Sequence, residues 1–226
     1  MIAVQRFDPK TDERPVWATY SVNVAPSQTV LDALLVVAET IDPTLAFRRT
    51  CRSGICGACA GTINGQPRLF CQAMVGGMRS SGARPASVPS GVEAEIFVQP
   101  LSQFRVLKDL VVDMGPFFDA FERAQAWLVP SARYDGLMSK DVFRRLWGAT
   151  SCVLCGICVG RAAAPDLSHP AAVARVLRLA CDPRDELGET RLALLDQPER
   201  YDAEWAEALK TACPKAVDVS GLLPGE

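Results

Sequence analysis

The sequence predicts an α+β protein with two domains, one over residues 1–100 and one over residues 101–226. Short apolar runs separated by turn residues predict strands in the first part of the chain. From Leu101 onward, apolar residues recur at helical spacing, which predicts an all-helical second part. With 226 residues, of which 49% are hydrophobic, the chain has enough apolar material for two cores.

The first domain is predicted to open with a hairpin that is followed by one helix. Residues 2–7 and 17–24 have strand-like composition, and the polar segment between them predicts a turn. Ser27 or Thr29 is the predicted N-cap of the next run, in which apolar residues recur at helical spacing. An Asp-Pro pair ends that run, so one helix is expected to pack on the sheet.

Two more features complete the prediction for the first domain. Asn64-Gly65 stands between strand-like runs and predicts a tight hairpin. Residues 76–91 are rich in Gly, Ser, Pro and Ala, which predicts a long mobile loop before a last strand over residues 93–99. Strands, one helix and strands again predict a β-grasp, ferredoxin-like module.

The second domain has several predicted helices. Residues 171–181 and 202–212 each place apolar side chains on one face. Such stripes are expected to form a core rather than a binding site. The other stripes are Val106, Leu110 and Val111; Phe117, Phe118 and Phe121; and Val142, Phe143, Leu146 and Trp147.

The first cysteine motif is the most informative stretch of the chain. Its spacing, C-x4-C-x2-C followed by a later cysteine, is the plant-type pattern for a 2Fe-2S cluster. Gly54 and Gly57 lie inside the loop, where the backbone must bend so that its amides face the sulfurs. A zinc site is the alternative, but zinc sites usually combine two short hooks rather than three thiols on one loop. The predicted ligands are Cys51, Cys56, Cys59 and Cys71.

A second motif, C-x2-C-x2-C, is the core of the bacterial pattern for a 4Fe-4S cluster. It comprises Cys152, Cys155 and Cys158, so a fourth ligand must come from elsewhere. Cys213 and Cys181 are the two candidates, and we select Cys213 because a proline follows it, as in the cluster pattern. Cys181 is then expected to be a buried free thiol on an apolar helix face.

Composition excludes several other classes of protein. The formal net charge of -2 argues against a nucleic-acid-binding protein, which normally carries a basic excess. Nine cysteines without a secretory signal indicate metal chemistry in a reducing compartment, and no apolar run is long enough to span a membrane. The chain has no Ser/His/Asp set, Walker loop or G-x-G-x-x-G motif, so it has no visible substrate chemistry of its own.

Four charged or titratable residues near these motifs have more than one interpretation. Arg48, Arg49 and Arg52 crowd the first motif, where they would favour the reduced cluster and an acidic partner, although ordinary solvated arginines fit equally well. His169 precedes a proline at a helix start and is expected to be a surface or capping residue.

Both domains and both cysteine sets resemble the iron-sulfur subunit of succinate dehydrogenase and fumarate reductase. The resemblance covers nearly the whole chain. It includes Pro100-Leu101, residues 108–113, residues 182–185 and Cys213-Pro214-Lys215, in the family's order. It implies a 2Fe-2S and a 4Fe-4S cluster here and a flavoprotein partner that carries FAD.

The chain departs from the family at a third cluster, of the 3Fe-4S type. The resemblance places that cluster's ligands at Ala162, Ala203 and Leu209, so all three thiols are missing. In the family this cluster passes electrons to quinone, and the aromatic residues that usually follow its first cysteine are replaced at residues 163–165. We therefore expect a two-cluster member without a quinone pocket, whose vacated cluster site is a packed apolar core.

The resemblance implies an electron-transfer subunit that relays electrons between flavin, 2Fe-2S and 4Fe-4S. It also implies a membrane-anchor or soluble electron-acceptor protein as a further partner, and a cytoplasmic location that is peripheral to the membrane through partners. The alternatives are a free-standing two-cluster carrier and a subunit of a dehydrogenase for another small carboxylate. The size of the helical domain argues against a free carrier.

Overall fold

The computed structural model describes residues 1–134, 136–161, 169–195 and 201–223. The chain divides into two compact units, Met1–Asp113 and Met114–Glu226. The predicted division after residue 100 lies earlier in the chain than this one, because the segment that follows Leu101 folds with the first unit. No helix within the described residues is long and apolar enough to cross a membrane.

A mixed five-stranded sheet forms the centre of the first unit. Its strand order is β2-β1-β5-β3-β4, with β1 and β5 parallel and every other pair antiparallel. The predicted strands are confirmed, although β1, β2 and β5 are shorter than the sequence indicates. The strands are β1 (Ile2–Arg6), β2 (Val16–Tyr20), β3 (Ala60–Ile63), β4 (Gln66–Leu69) and β5 (Ile96–Gln99).

Local sequence signals explain how these strands are connected. Asn64 and Gly65 both have positive φ, 50° and 79°, as the two-residue turn between β3 and β4 requires. Thr29 caps helix α1 (Val30–Val36), and its hydroxyl accepts from the backbone N–H of Asp32. Helix α1 continues into a π-helical turn, Val37–Ile41, and its apolar face is buried.

One prediction for the first unit is wrong, and another holds only in part. Residues 106–112 form a short hairpin of β6 (Val106–Lys108) and β7 (Val111–Val112) instead of a helix. The β-branched valines favour extended backbone, and Asp109 turns the chain with a φ of 49°. The predicted loop over residues 76–91 instead begins with a short helix, α2 (Val75–Ser80), whose N-terminal residue is buried.

The described part of the second unit is largely helical. Its α-helices are α3 (Gly115–Arg123), α4 (Lys140–Thr150), α5 (Pro170–Ala180) and α6 (Ala203–Ala212). The last two confirm the predicted helices over residues 171–181 and 202–212. Ser139 and Asp202 cap α4 and α6 with their side chains, and most of α5 is buried.

One apolar stripe does not belong to the core as expected. On α4, Leu146 is buried, but Phe143 and Trp147 are 51% and 61% exposed. Their rings lie 5.2 Å apart and contact each other on the surface. The spacing correctly predicts the helix, but helical periodicity alone does not say whether a neighbouring element covers that face.

A buried ion pair fixes the segment that follows α5. The side chains of Arg191 and Asp185 are both fully buried, and their charged atoms lie 2.7 Å apart. Asp185 also accepts from the backbone N–H groups of Val129, Leu187 and Gly188. These bonds satisfy the carboxylate, so the pair ties distant parts of the second unit together.

Candidate metal centres

The loop of the first thiol set is bent as the sequence predicts. Arg52, Gly54 and Gly57 have positive φ values of 57°, 71° and 69°. This bend turns the backbone N–H groups of Ser53 and Ile55 toward the sulfur of Cys51, at 3.4 Å each. The N–H of Ser53, the Cys56 thiol and the N–H of Ile55 lower the pKa of Cys51 to about 6. The loop therefore stabilises negative charge on sulfur before any iron is present.

The hairpin of β3 and β4 brings the fourth thiol to the loop. The backbone N–H of Phe70 donates to the carbonyl of Cys59 at 3.0 Å, which fixes Cys71 beside Cys59. The Phe70 ring covers Gly61 so closely that an added Cβ would lie 2.1 Å from Cζ. Burial raises the pKa of Cys59 to about 12; the backbone N–H of Cys71 opposes that rise, and the Cys71 thiol adds to it. The four thiols thus form two close pairs, Cys51 with Cys56 and Cys59 with Cys71.

A polar network that the sequence did not reveal anchors the chain just before this loop. The buried Asp109 carboxylate accepts from the N–H groups of Phe7 and Ala46, at 3.0 and 2.8 Å, and from Arg6 Nε at 2.9 Å. Arg6 also donates to Tyr20 and to Asp42. The only hint in the sequence is that Asp109 lies in a segment that resembles the family.

The arginines near the first thiol set differ in their surroundings. Arg49 pairs with Glu39 at 3.4 Å and lies over the Phe47 ring, so part of its charge is neutralised. Arg48 is half-buried and Arg52 is exposed. Cys56 is exposed, and the apolar side chain of Ile55 beside it is 69% exposed.

The second thiol set lines a cleft in the helical unit. The cleft and its mouth, which is open to solvent, together span about 380 Å³ not filled by protein atoms. Positive φ values at Leu154 and Gly156, 54° and 77°, fold the short motif so that its thiols share this cleft. Its walls consist of four cysteines together with small or apolar residues. They are Cys152, Val153, Cys155, Gly156, Cys158, Ala171, Ala174, Leu209, Cys213, Pro214 and Val217.

The two candidates for the fourth position are separated in space. Cys213 follows the end of α6 and lines the cleft with the three motif thiols. Cys181 follows the end of α5, and it is absent from the cleft lining. Burial raises the pKa of Cys181, which fits a thiol that stays protonated.

Burial raises the pKa of three thiols in the second set, compared with Cys59 in the first. Burial raises the pKa of Cys155 to about 12 and raises the pKa values of Cys152 and Cys158 as well. The backbone N–H groups of Leu154, Ile157 and Ala171 oppose those shifts. Cys158 is buried and the other three thiols are half-buried. Four thiols crowded together in this way are costly as separate anions, so a cationic iron core suits this set.

The donor chemistry of both sets fits iron-sulfur clusters. All eight side chains are soft thiols, and amides face the sulfurs in both sets. Across the described parts of the chain, no three His, Cys, Asp or Glu side chains are placed to hold one single metal ion. Thiols that hold several irons lie farther apart than the ligands of one ion, because irons and sulfides lie between them.

The positions of the missing third cluster, where we expected a packed core, lie only partly within the described residues. Ala162 and residues 163–165 lie outside the described residues. Ala203 is exposed at the start of α6, while Leu209 is buried. A second cleft, which opens to solvent, lies beside Leu209 among the described residues, and the packed core stays a prediction. The cleft is lined by Cys158, Pro170, Trp205, Ala208, Leu209 and Ala212.

His169 is buried rather than on the surface, and its side chain makes no capping hydrogen bond. Its ring centre lies 4.5 Å from that of Phe117 and 6.1 Å from that of Phe121, both on α3. Burial lowers the pKa of His169 to about 4. The aromatic stripe of α3 was visible in the sequence, but its partner was not.

Comparisons with known proteins agree with this geometry. Residues 1–119 match a family described as a 2Fe-2S iron-sulfur cluster binding domain. The mitochondrial succinate dehydrogenase [ubiquinone] iron-sulfur subunit of Dictyostelium discoideum is 32% identical, over 99% of this chain and 78% of its own. The fumarate reductase iron-sulfur subunit of Mycobacterium tuberculosis is 31% identical, over 99% of this chain and 89% of its own.

A solved structure gives independent support for the fold. It is described as the Mycobacterium smegmatis Sdh1 complex in the apo form, and one of its chains aligns with a TM-score of 0.73 and 23% identity. The alignment covers 97% of this chain and 89% of that chain. The chain therefore belongs to the family of iron-sulfur subunits of succinate dehydrogenase and fumarate reductase, which transfer electrons within oxidoreductases.

Proposed function

We propose that this chain carries two clusters and relays electrons between a flavoprotein and a separate acceptor. The observation that carries the proposal is the gathering of two complete thiol sets, one in each unit. Cys51, Cys56, Cys59 and Cys71 would hold a 2Fe-2S cluster, and Cys152, Cys155, Cys158 and Cys213 would hold a 4Fe-4S cluster. When bound, such clusters accept and donate single electrons.

The two sites would suit different steps of the relay. The first set lies partly at the surface, with Cys56 exposed, so a partner protein can approach it closely. The second set lies in a cleft with mainly apolar walls, and its four thiols are buried or half-buried. Exposure and burial change cluster potentials, so the protein sets different potentials at the two sites through their surroundings.

The proposed domains follow from the two units. The first would be a β-grasp, ferredoxin-like domain that holds 2Fe-2S, and the second a helical, ferredoxin-like domain that holds 4Fe-4S. The hairpin of β6 and β7 belongs to the first, because Asp109 connects it to Phe7 and Ala46.

The proposed partner is a flavoprotein subunit with FAD, acting on succinate, fumarate or another small carboxylate. A membrane-anchor or soluble electron-acceptor protein would complete the assembly, at a cytoplasmic location. Because Ala203 and Leu209 replace two thiols of the family's third cluster, we propose that electrons leave or enter at the 4Fe-4S site and that this subunit does not reduce quinone.

Co-purification tests this function. A tagged chain expressed with its native partners should elute on size exclusion as one peak that contains flavin and both clusters. That complex should reduce dichlorophenolindophenol with succinate, or accept electrons from a soluble low-potential donor for fumarate reduction. Turnover with a short-chain ubiquinone should be much slower than with the dye.

Two results would contradict the proposal in different ways. A monomer that holds both clusters but no flavin would indicate a free-standing carrier. Rapid, inhibitor-sensitive quinone reduction, at rates comparable to the dye reaction, would indicate that the complex reduces quinone as other members of the family do. A Cys56→Ser variant serves as the control, because it should lose the 2Fe-2S signal and dye reduction with the substrate.

A further inference from the structure

Helix α5 forms one wall of the second thiol site. Ala171 and Ala174 line the cleft, and the backbone N–H of Ala171 faces the sulfur of Cys158. Arg175 follows Ala174 directly and lies one helical turn beyond Ala171, so it borders the cleft-facing side of the helix. Its side chain is half-buried, and its charge acts on the Cys152 thiol.

The charge of Arg175 has no counter-ion among the described residues. Arg178 and Arg184 both bind the Asp182 carboxylate, at 3.1 and 2.7 Å, and Arg191 binds Asp185. The Asp182 carboxylate therefore neutralises only one of the two positive charges of Arg178 and Arg184. Together with Arg175, this part of the helical unit carries an excess of positive charge.

A cation next to a thiolate-ligated cluster favours its more negative, reduced state. The walls around this site are apolar and work in the opposite direction, since burial disfavours additional negative charge. Arg175 is thus the half-buried, unneutralised charge in the described part of α5 that can offset the cost of reducing a cluster in this cleft.

We propose that Arg175 raises the reduction potential of the 4Fe-4S cluster and so makes that site able to serve as the terminal centre of the relay. The inference rests on the proposed 4Fe-4S site. Arg175 acts through its charge. A lysine at this position should therefore keep the reduction potential, and a neutral side chain should lower it.

Redox titration of the purified holoprotein, followed by the electron paramagnetic resonance signal of the reduced 4Fe-4S cluster, tests the inference. For Arg175→Gln we expect the ratio of reduced to oxidised cluster at a fixed ambient potential to fall about tenfold, a negative shift of about 59 mV for one electron. Arg175→Lys should stay close to wild type. The control is Arg144→Gln, because Arg144 is 75% exposed and pairs with Asp141 on α4.

Each possible result either supports or overturns the proposed role of Arg175. A shift in Arg175→Gln and Arg175→Met, without one in Arg175→Lys or Arg144→Gln, supports the inference. Equal potentials in all variants overturn it while leaving the cluster assignment intact. Loss of the four-iron signal in both neutral variants also overturns it, because Arg175 would then be structural. Absence of that signal in the wild-type protein would instead overturn the proposed function on which the inference depends.

Discussion

Replacing Asp109 by alanine should strongly destabilise the first unit. The carboxylate is buried and accepts three hydrogen bonds, from the N–H groups of Phe7 and Ala46 and from Arg6 Nε. It joins the end of β1, the segment that leads to Cys51 and the β6–β7 hairpin. Removing it leaves two buried amides and one arginine without their acceptor.

The expected cost follows from those three bonds. Each buried donor left unsatisfied costs about 1–3 kcal/mol, and breaking a buried ion pair costs about 3–5 kcal/mol. Because Arg6 keeps its bonds to Tyr20, Asp42 and Thr44, we expect a total loss of about 3–5 kcal/mol rather than the full sum. Asp109→Asn should cost less, since asparagine keeps an acceptor and tolerates a φ of 49°.

Thermal unfolding of the holoprotein, followed by visible absorption of the 2Fe-2S site and by far-ultraviolet circular dichroism, measures this effect. The midpoint for Asp109→Ala should fall by roughly 10 °C. Glu39→Ala is the control, because the exposed Glu39–Arg49 pair should contribute less than about 1 kcal/mol. Equal midpoints for Asp109→Ala and Glu39→Ala would refute the reasoning.

Three further predictions concern the thiols, the buried histidine and one glycine. Cys213→Ser should abolish the 4Fe-4S electron paramagnetic resonance signal while Cys181→Ser keeps it, and the reverse result would show that the ligand assignment is wrong. Because the pKa of His169 falls from 6.5 to about 4 on burial, the folded state should lose up to about 3 kcal/mol as pH falls through that interval. His169→Phe should remove this pH dependence of the unfolding midpoint. If the midpoint of the variant still fell with pH as in the wild type, His169 would not be its cause. Gly61→Ala, whose Cβ would collide with an aromatic ring, should lower 2Fe-2S occupancy per chain, whereas Gly77→Ala, with nothing within 4 Å, should match wild type.

Short sequence motifs predict the turns, helix starts and cysteine loops whose conformation depends only on neighbouring residues. Asn64-Gly65 predicts its hairpin because the turn needs two positive φ values. Thr29 predicts a helix start because its hydroxyl satisfies a free N–H. The cysteine spacings predict the two thiol sets, and Cys213, which a proline follows, lines the same cleft as the second motif while Cys181 does not. These patterns require no knowledge of distant contacts.

Long-range packing decides the features that the sequence did not predict. Val106, Leu110 and Val111 have helical spacing, yet they lie in a hairpin. Asp109 fixes that hairpin by accepting hydrogen bonds from the backbone N–H groups of Phe7 and Ala46. His169 is buried because two phenylalanines of α3 cover it. Phe143 and Trp147 are exposed although their spacing resembles a core stripe. Spacing along the sequence does not say which contacts with distant residues will form, so it could not predict these features.

Iron and acid-labile sulfide analysis of the anaerobically purified, reconstituted chain tests the two-cluster account most directly. With eight thiols gathered in two sets and with Ala162, Ala203 and Leu209 at the positions of the third, we predict about six irons per chain. The oxidised protein should then show no 3Fe-4S electron paramagnetic resonance signal. A value near nine irons, together with that signal, would show that other ligands hold a third cluster and would contradict the account.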